Sequence, residues 1–194
     1  MPMRIDRLAV RNFRNLADVD IKLLPGAVIV GENRAGKSNL LYALRLILDP
    51  RLSFADRQLS SEDFWDGLSD GSVGWNPMEH GHVIEASIDI VEFDDDPKLV
   101  AALADALLTE SPLQARLTYM FAPIDSGDDT QPRYRGAVYG GDRLERPLAA
   151  ELRGYVHLLF LHALRDVESD IRNWRRSPLR ALLALRYFVW GYVG

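Results

Sequence analysis

The sequence predicts an α/β fold, with a mixed sheet, a helix packed on it and antiparallel strands at one side. Three observations carry that prediction. Short segments near the N-terminus alternate apolar and polar residues, residues 27–30 are apolar throughout, and a glycine-bounded loop leads from them into a helical pattern.

The elements follow in chain order. Leu8 and Val10 alternate with Arg7, Ala9 and Arg11, and Val19, Ile21 and Leu23 alternate with Asp20 and Lys22. A period of two is the strand signature, and the turn Asn12-Phe13-Arg14-Asn15 pairs the two strands antiparallel. After Pro25-Gly26, Ala27-Val28-Ile29-Val30 reads as a third strand, buried on both faces because it is apolar on both. A helix opens near Gly36, with Leu40, Leu41, Leu44, Ile47 and Leu48 on one face, and Asp49-Pro50 ends it.

Residues 51–82 carry many Ser, Asp and Gly together with Trp65 and Trp75, and read as a long loop holding a short helix over 62–68. Residues 83–93 predict a strand, and Asp96-Pro97 opens a helix with Leu99, Leu103, Ala106 and Leu107 on its apolar face. Residues 113–121, 134–139 and 155–161 predict strands, and a helical pattern runs over 167–185. With no internal repeat and no linker, the chain reads as one domain over residues 1–180 and an apolar tail over 181–194.

The 194 residues are 47% apolar and 26% charged, enough for one domain with a core. The net charge of −5 gives no overall attraction to nucleic acid or to an anionic membrane, so DNA contact would need a local basic patch. The absence of cysteine excludes disulfides, thiolate zinc sites and cysteine nucleophiles, and fits a reducing cytoplasm. No leader-like apolar run opens the chain, and no stretch reaches the ~20 apolar residues of a membrane span. The apolar tail carries Arg186 and reads as a buried or partner-covered helix. The expectation is a soluble, cytoplasmic protein.

Gly31-Glu32-Asn33-Arg34-Ala35-Gly36-Lys37-Ser38 matches the phosphate-loop spacing G-x-x-x-x-G-K-[ST]. The two glycines let the backbone turn tightly, so that successive N–H groups point at phosphate oxygens. The helix that follows adds the partial positive charge of its N-terminus. Lys37 supplies a full charge for the β- and γ-phosphates, which makes it the catalytic candidate, and the Ser38 hydroxyl is placed to ligate Mg²⁺. The order strand, loop, helix is the context this chemistry requires. The site therefore comprises Gly31 to Ser38 with the adjoining Asn39, and its ligand is a nucleoside triphosphate, ATP with Mg²⁺.

An initial strand, then Val10-Arg11-Asn12-Phe13-Arg14, a second strand, and the loop through Asn39 resemble the N-terminal lobe of recombination and SMC-type ABC ATPases. The helix Gly36 to Pro50, the stretch Ser61-Glu62-Asp63-Phe64-Trp65-Asp66-Gly67, and segments 162–168 and 173–179 resemble the OLD (overcoming lysogenization defect) family of ATP-dependent endonucleases. That resemblance implies an ATPase domain acting as a dimer, joined in full-length members to a Toprim nuclease domain that uses Mg²⁺, with links to phage defence and DNA cleavage.

Departures from that pattern matter. The only Walker B candidate is Ile88-Asp89-Ile90-Val91-Glu92-Phe93-Asp94, and its alternating Glu85, Ser87 and Asp89 suit a half-exposed antiparallel strand better. No Ser-Gly-Gly signature is present, and residues after 180 leave no room for a Toprim domain. The expectation is half an ATPase that binds ATP, with a second copy or a partner chain supplying the rest and DNA bound only by the assembly. Hydrolysis of ATP is the most this chain would do alone. The rival functions are a non-hydrolysing nucleotide-dependent interaction module and a small phosphotransferase; no Asn-Lys-x-Asp motif supports GTP. A degenerate fragment without a role is the remaining alternative.

Weaker clusters read as ordinary surface chemistry. Arg172, Arg175, Arg176 and Arg180 around Trp174 pair more simply with Glu168 and Asp170 than with DNA. Glu79-His80-Gly81-His82 offers too few ligands for a metal and reads as a turn. Asp94 to Asp96 and Asp125, Asp128 and Asp129 sit at strand ends. Arg165 and Asp166, just after His162, are the polar groups near an expected γ-phosphate-sensing position. Arg11 and Arg14 are either surface charges or nucleotide neighbours.

Overall fold

The computed structural model describes residues 3–124, 132–144 and 147–148. They form β1 (Arg4–Phe13), β2 (Leu16–Lys22), α1 (Lys37–Leu48), β3 (Ile84–Val91), α2 (Pro97–Ala102), β4 (Leu107–Glu110), β5 (Leu113–Ile124) and β6 (Arg133–Gly140). The sheet runs in the order β2-β1-β3-β5-β4, and β6 also pairs with β5. Every pairing among the described residues is antiparallel.

Register explains the core. Leu8 faces Ile88, and Ile88 faces Leu117; one step along, Val10 faces Ala86 and Ala86 faces Tyr119. Directly opposed residues share a sheet face, so these rows make one continuous apolar surface. Helix α1 covers it, burying Leu40, Ala43, Leu44, Leu46, Ile47 and Leu48 against β1, β3 and β5. The hairpin and the helix thus form as the two periodicities predict, although Leu41 is only partly buried.

The opposite face carries a row of charges. Asp89 accepts from Arg116 Nε at 2.6 Å and Nη2 at 2.8 Å and from Gln114 at 3.3 Å, while Arg7 bonds both carboxylate oxygens of Asp20 at 2.7 Å. The bond to Asp89 is the main reason the Arg116 guanidinium holds its proton more tightly than usual. Strand β3 is antiparallel, as expected, but it is not half-exposed: six of its eight residues are buried, Ser87 and Asp89 among them. A strand in mid-sheet is covered by its neighbours' long side chains, and the stems of Arg7 and Arg116 do that here.

Three further expectations change. Residues 27–30 form no strand, and Val28, Ile29 and Val30 are 81%, 42% and 84% exposed. A strand apolar on both faces needs neighbours on both sides, and the described sheet lies wholly in the antiparallel strands. The helix foreseen over 62–68 is instead two 3-10 turns, Ser61–Asp63 and Asp66–Leu68, the first closed by a reciprocal Ser60–Asp63 capping box. The second helix ends at Ala102, and Leu107 opens β4 instead of extending the helical face, while Leu99, Leu103 and Ala106 remain buried. The Asp96 side chain caps this helix at Lys98 N and Leu99 N, which accounts for one of the acidic turn residues.

The loop after α1 is pinned by Arg57. Its buried guanidinium donates to the carbonyls of Leu46 (3.0 Å), Asp49 (2.5 Å), Ser53 (3.4 Å) and Leu52. Carbonyls at a helix C-terminus lack intrahelical partners and carry partial negative charge, so a cation there satisfies both needs. The strand at 155–161, the helix at 167–185, the basic cluster 172–180, Arg165, Asp166, the acids at 125–129 and the 181–194 tail lie outside the described residues.

Candidate functional site

The stretch 31–36 that leads into α1 is shaped by two left-handed residues, Arg34 (φ 69°) and Gly36 (φ 99°). At Gly36 any side chain would be strained and would have to displace its neighbours. A Cβ there would lie 2.8 Å from Leu16 Cδ2 and 2.9 Å from Asn15 Oδ1, and the positive φ disfavours any side chain. Helix α1 starts immediately afterwards, and no side chain caps it. The first N–H groups of a helix have no acceptor within it, so an open N-terminus faces the loop.

Lys37 Nζ donates to the carbonyls of Gly31 at 2.7 Å and Glu32 at 2.8 Å. The ammonium therefore ties the start of the loop to the start of the helix. Both acceptors are neutral carbonyls, so these bonds leave the positive charge uncancelled. Residues 31–35 and Ser38 are exposed, and Gly36 is buried beneath the hairpin turn. An uncapped helix end, an unneutralised ammonium and an accessible hydroxyl lie together in this loop, the chemistry that suits a polyanion. The nine expected residues, Gly31 to Asn39, are thus gathered in one turn of chain.

Residues of the first hairpin also hold the loop. Asn15 Nδ2 donates to the Arg34 carbonyl at 3.1 Å, and Asn39 Nδ2 donates to Asn15 Oδ1 at 2.8 Å. Arg14 Nη1 donates to Asn39 Oδ1 at 3.1 Å, while its Nε and Nη2 reach Asp63 Oδ1 at 3.0 and 2.9 Å. The Arg14 guanidinium also lies over the rings of Phe13 (5.0 Å) and Tyr42 (4.7 Å). Arg14 is therefore a structural tie beside the loop, whereas Arg11 is an exposed partner of Asp18. Sequence alone assigns this role to neither Asn15 nor Asp63: Asn15 stands in the hairpin turn and Asp63 in the Ser61–Gly67 stretch of the OLD resemblance.

The other candidates fall away from this site. Asp89 is committed to Arg116 on the charged sheet face. His80 and His82 lie against Trp75, with ring centroids 5.3 and 5.7 Å away, and no cluster of three or more His, Asp or Glu side chains able to hold a metal ion occurs among the described residues. A cleft of about 290 Å³ beside Phe64, Trp65 and Trp75 is edged by Glu62 and Asp66. Those carboxylates disfavour phosphate there.

Residues 3–111 match the family model described as the AAA ATPase domain. The chain belongs to that family. This AAA ATPase domain is 28% identical over 181 residues to the OLD nuclease of Thermus scotoductus, covering 92% of the chain and 30% of that protein. It is 44% identical over 167 residues to the endonuclease GajA of Bacillus cereus, covering 81% of the chain and 25% of that protein. The OLD resemblance read from the sequence is thereby supported. The domain spans between a quarter and a third of the length of these relatives. A solved structure of the recombination mediator protein RecF with ATP superposes with a TM-score of 0.46 at 20% identity, over 89% of the chain and 35% of that protein. No helix among the described residues is long and apolar enough to cross a membrane.

Proposed function

We propose that this domain is the ATP–Mg²⁺ binding module of an OLD-like, cytoplasmic ATP-dependent DNA endonuclease acting in phage defence or DNA repair. The observation that carries the reading is Lys37, whose ammonium sits across the loop mouth on two neutral carbonyls beside an uncapped helix end. In the proposed complex the backbone N–H groups of Gly31, Glu32, Asn33, Arg34, Ala35 and Gly36 face the phosphates. Lys37 moves from its carbonyls to the β- and γ-phosphates, and Asn39 keeps the first turn tied to the hairpin. The Ser38 hydroxyl holds Mg²⁺, which when bound neutralises phosphate charge.

Hydrolysis needs a carboxylate that orients water, and Asp89 is not free for that task. That group would be another carboxylate, in this chain, a second copy or a partner. The exposed apolar stretch 28–30 supports the same dependence, since a strand placed beside it would bury both its faces. This favours a second reading, in which ATP drives association instead of turnover. DNA contact and cleavage belong to the assembly.

Calorimetry with ATP and Mg²⁺, followed by a turnover assay on the same sample, tests both readings. Micromolar binding that is lost in Lys37→Ala supports the module. Equal binding by wild type and variant sinks it. Turnover lost in Lys37→Ala favours the enzyme, and ATP-dependent dimerisation without turnover favours the switch.

A further inference from the structure

Four residues other than glycine hold left-handed backbone among the described residues: Asn12, Arg14, Arg34 and Glu92. A side chain in this region is crowded by its own backbone, and such strain persists where something offsets it. For three of them the structure supplies the offset. Asn12 Nδ2 donates to the Val83 carbonyl at 2.9 Å, Arg14 bonds Asp63 and Asn39, and Glu92 accepts from Arg4 Nε at 2.8 Å.

Arg34 differs. Its carbonyl is held by Asn15, but among the described residues its exposed guanidinium has no hydrogen bond, ion pair or ring contact. Glycine would take the same φ of 69° without strain. The strained residue thus projects a permanent cation from the middle of a polyanion site, and its offset is not found in the described protein.

We propose that Arg34 is a specificity-determining residue of the phosphate loop, its guanidinium holding the terminal phosphate and setting a preference for nucleoside triphosphate over diphosphate. This rests on the phosphate-loop reading above. The helix end and Lys37 serve the β-phosphate common to both nucleotides, and Lys37 also reaches the γ-phosphate of the triphosphate. A triphosphate brings further negative charge at its outer end, and an arginine fork meets phosphate oxygens with two parallel bonds. Arg34 adds a second, exposed cation to the loop beside Lys37, whose ammonium lies on the loop's first carbonyls.

The test measures ATP and ADP affinities, each with Mg²⁺, for wild type, Arg34→Gly, Arg34→Gln and Lys37→Ala in the full chain. The expected result is a tenfold or greater loss of ATP affinity in both Arg34 variants, with ADP affinity within twofold of wild type. Arg34→Gly also melts no lower than wild type, which separates a lost contact from a damaged loop. An unchanged ATP-to-ADP ratio in both variants overturns the proposal. ATP binding that is absent in wild type, or survives Lys37→Ala, overturns the phosphate-loop reading and this proposal with it.

Discussion

The Asn15 side chain joins the first hairpin to the phosphate loop, donating to the Arg34 carbonyl at 3.1 Å and accepting from Asn39 Nδ2 at 2.8 Å. It thereby fixes the loop on both sides of Gly36. The hairpin is rigid because β1 lies between β2 and β3, so the sheet sets the loop geometry through one amide. A loop held in place before ligand arrives loses less conformational freedom on binding.

Asn15→Ala therefore weakens ATP binding more than it weakens the fold. Each neutral hydrogen bond contributes about 1 kcal/mol, so affinity falls roughly fivefold, while the melting temperature drops by no more than a few degrees. Calorimetry and thermal unfolding on the same variant check this. Unchanged affinity would mean that the loop is shaped by its own sequence alone.

Gly36→Ala is the harsher change. The new Cβ must displace Leu16 and Asn15 while occupying a φ of 99°. The expected cost is about 2 kcal/mol, together with loss of ATP binding, because the strain falls where the helix begins. Arg34→Gly is the converse control at a left-handed position, and a denaturant titration should place it up to about 1 kcal/mol above wild type. If Gly36→Ala proved as stable as wild type, the close packing of hairpin on loop would be wrong.

These contrasts show which parts of the molecule are legible from sequence. Leu8 and Val10 alternate, and Leu40, Leu44 and Ile47 recur at helical spacing, because each element buries a single face. The loop residues Gly31 to Ser38 are legible because their spacing is set by local backbone geometry. Val28 and Val30 mislead, since apolarity on both faces requires neighbours that no local pattern specifies. Asp89 misleads in the other direction: alternation predicts exposure, but Arg7 and Arg116 come from other strands to cover it. Asn15 acts on a backbone carbonyl 19 residues along the chain and Arg57 on carbonyls 4 to 11 residues before it, and a carbonyl leaves no mark in a sequence.

Arg57 gives the largest expected effect on stability. Its guanidinium serves the carbonyls of Leu46, Asp49, Leu52 and Ser53 in a site where Arg57 is 3% exposed. Arg57→Ala strands those acceptors and leaves a void, at a cost of roughly 3 kcal/mol and a fall of about 10 °C in melting temperature. Arg57→Lys should recover only part of this, since a point charge cannot reproduce the fork. A variant melting within two degrees of wild type would remove Arg57 as the anchor of the loop.

Tyr119 makes the fold sensitive to alkali. Its buried hydroxyl donates to the Arg57 carbonyl at 2.5 Å, and burial pushes its pKa well above the ordinary tyrosine value. The raised folded value fixes the sign: the contribution is fully present below about pH 10, where the unfolded tyrosine titrates, and is lost as pH rises toward the folded value. Above pH 10 this one group should lower the unfolding free energy by about 1.4 kcal/mol per pH unit. Burial raises Tyr134 as well, so a smaller slope should remain when Tyr119 is removed. Tyr119→Phe should begin about 1 kcal/mol less stable at neutral pH, for the lost hydrogen bond, and then decline less steeply. Urea unfolding of both proteins at pH 8, 10 and 11 measures the two slopes. Equal slopes would show that the hydroxyl ionises as readily in the folded protein as in the unfolded chain, which its place between the sheet and the Arg57 carbonyl does not allow.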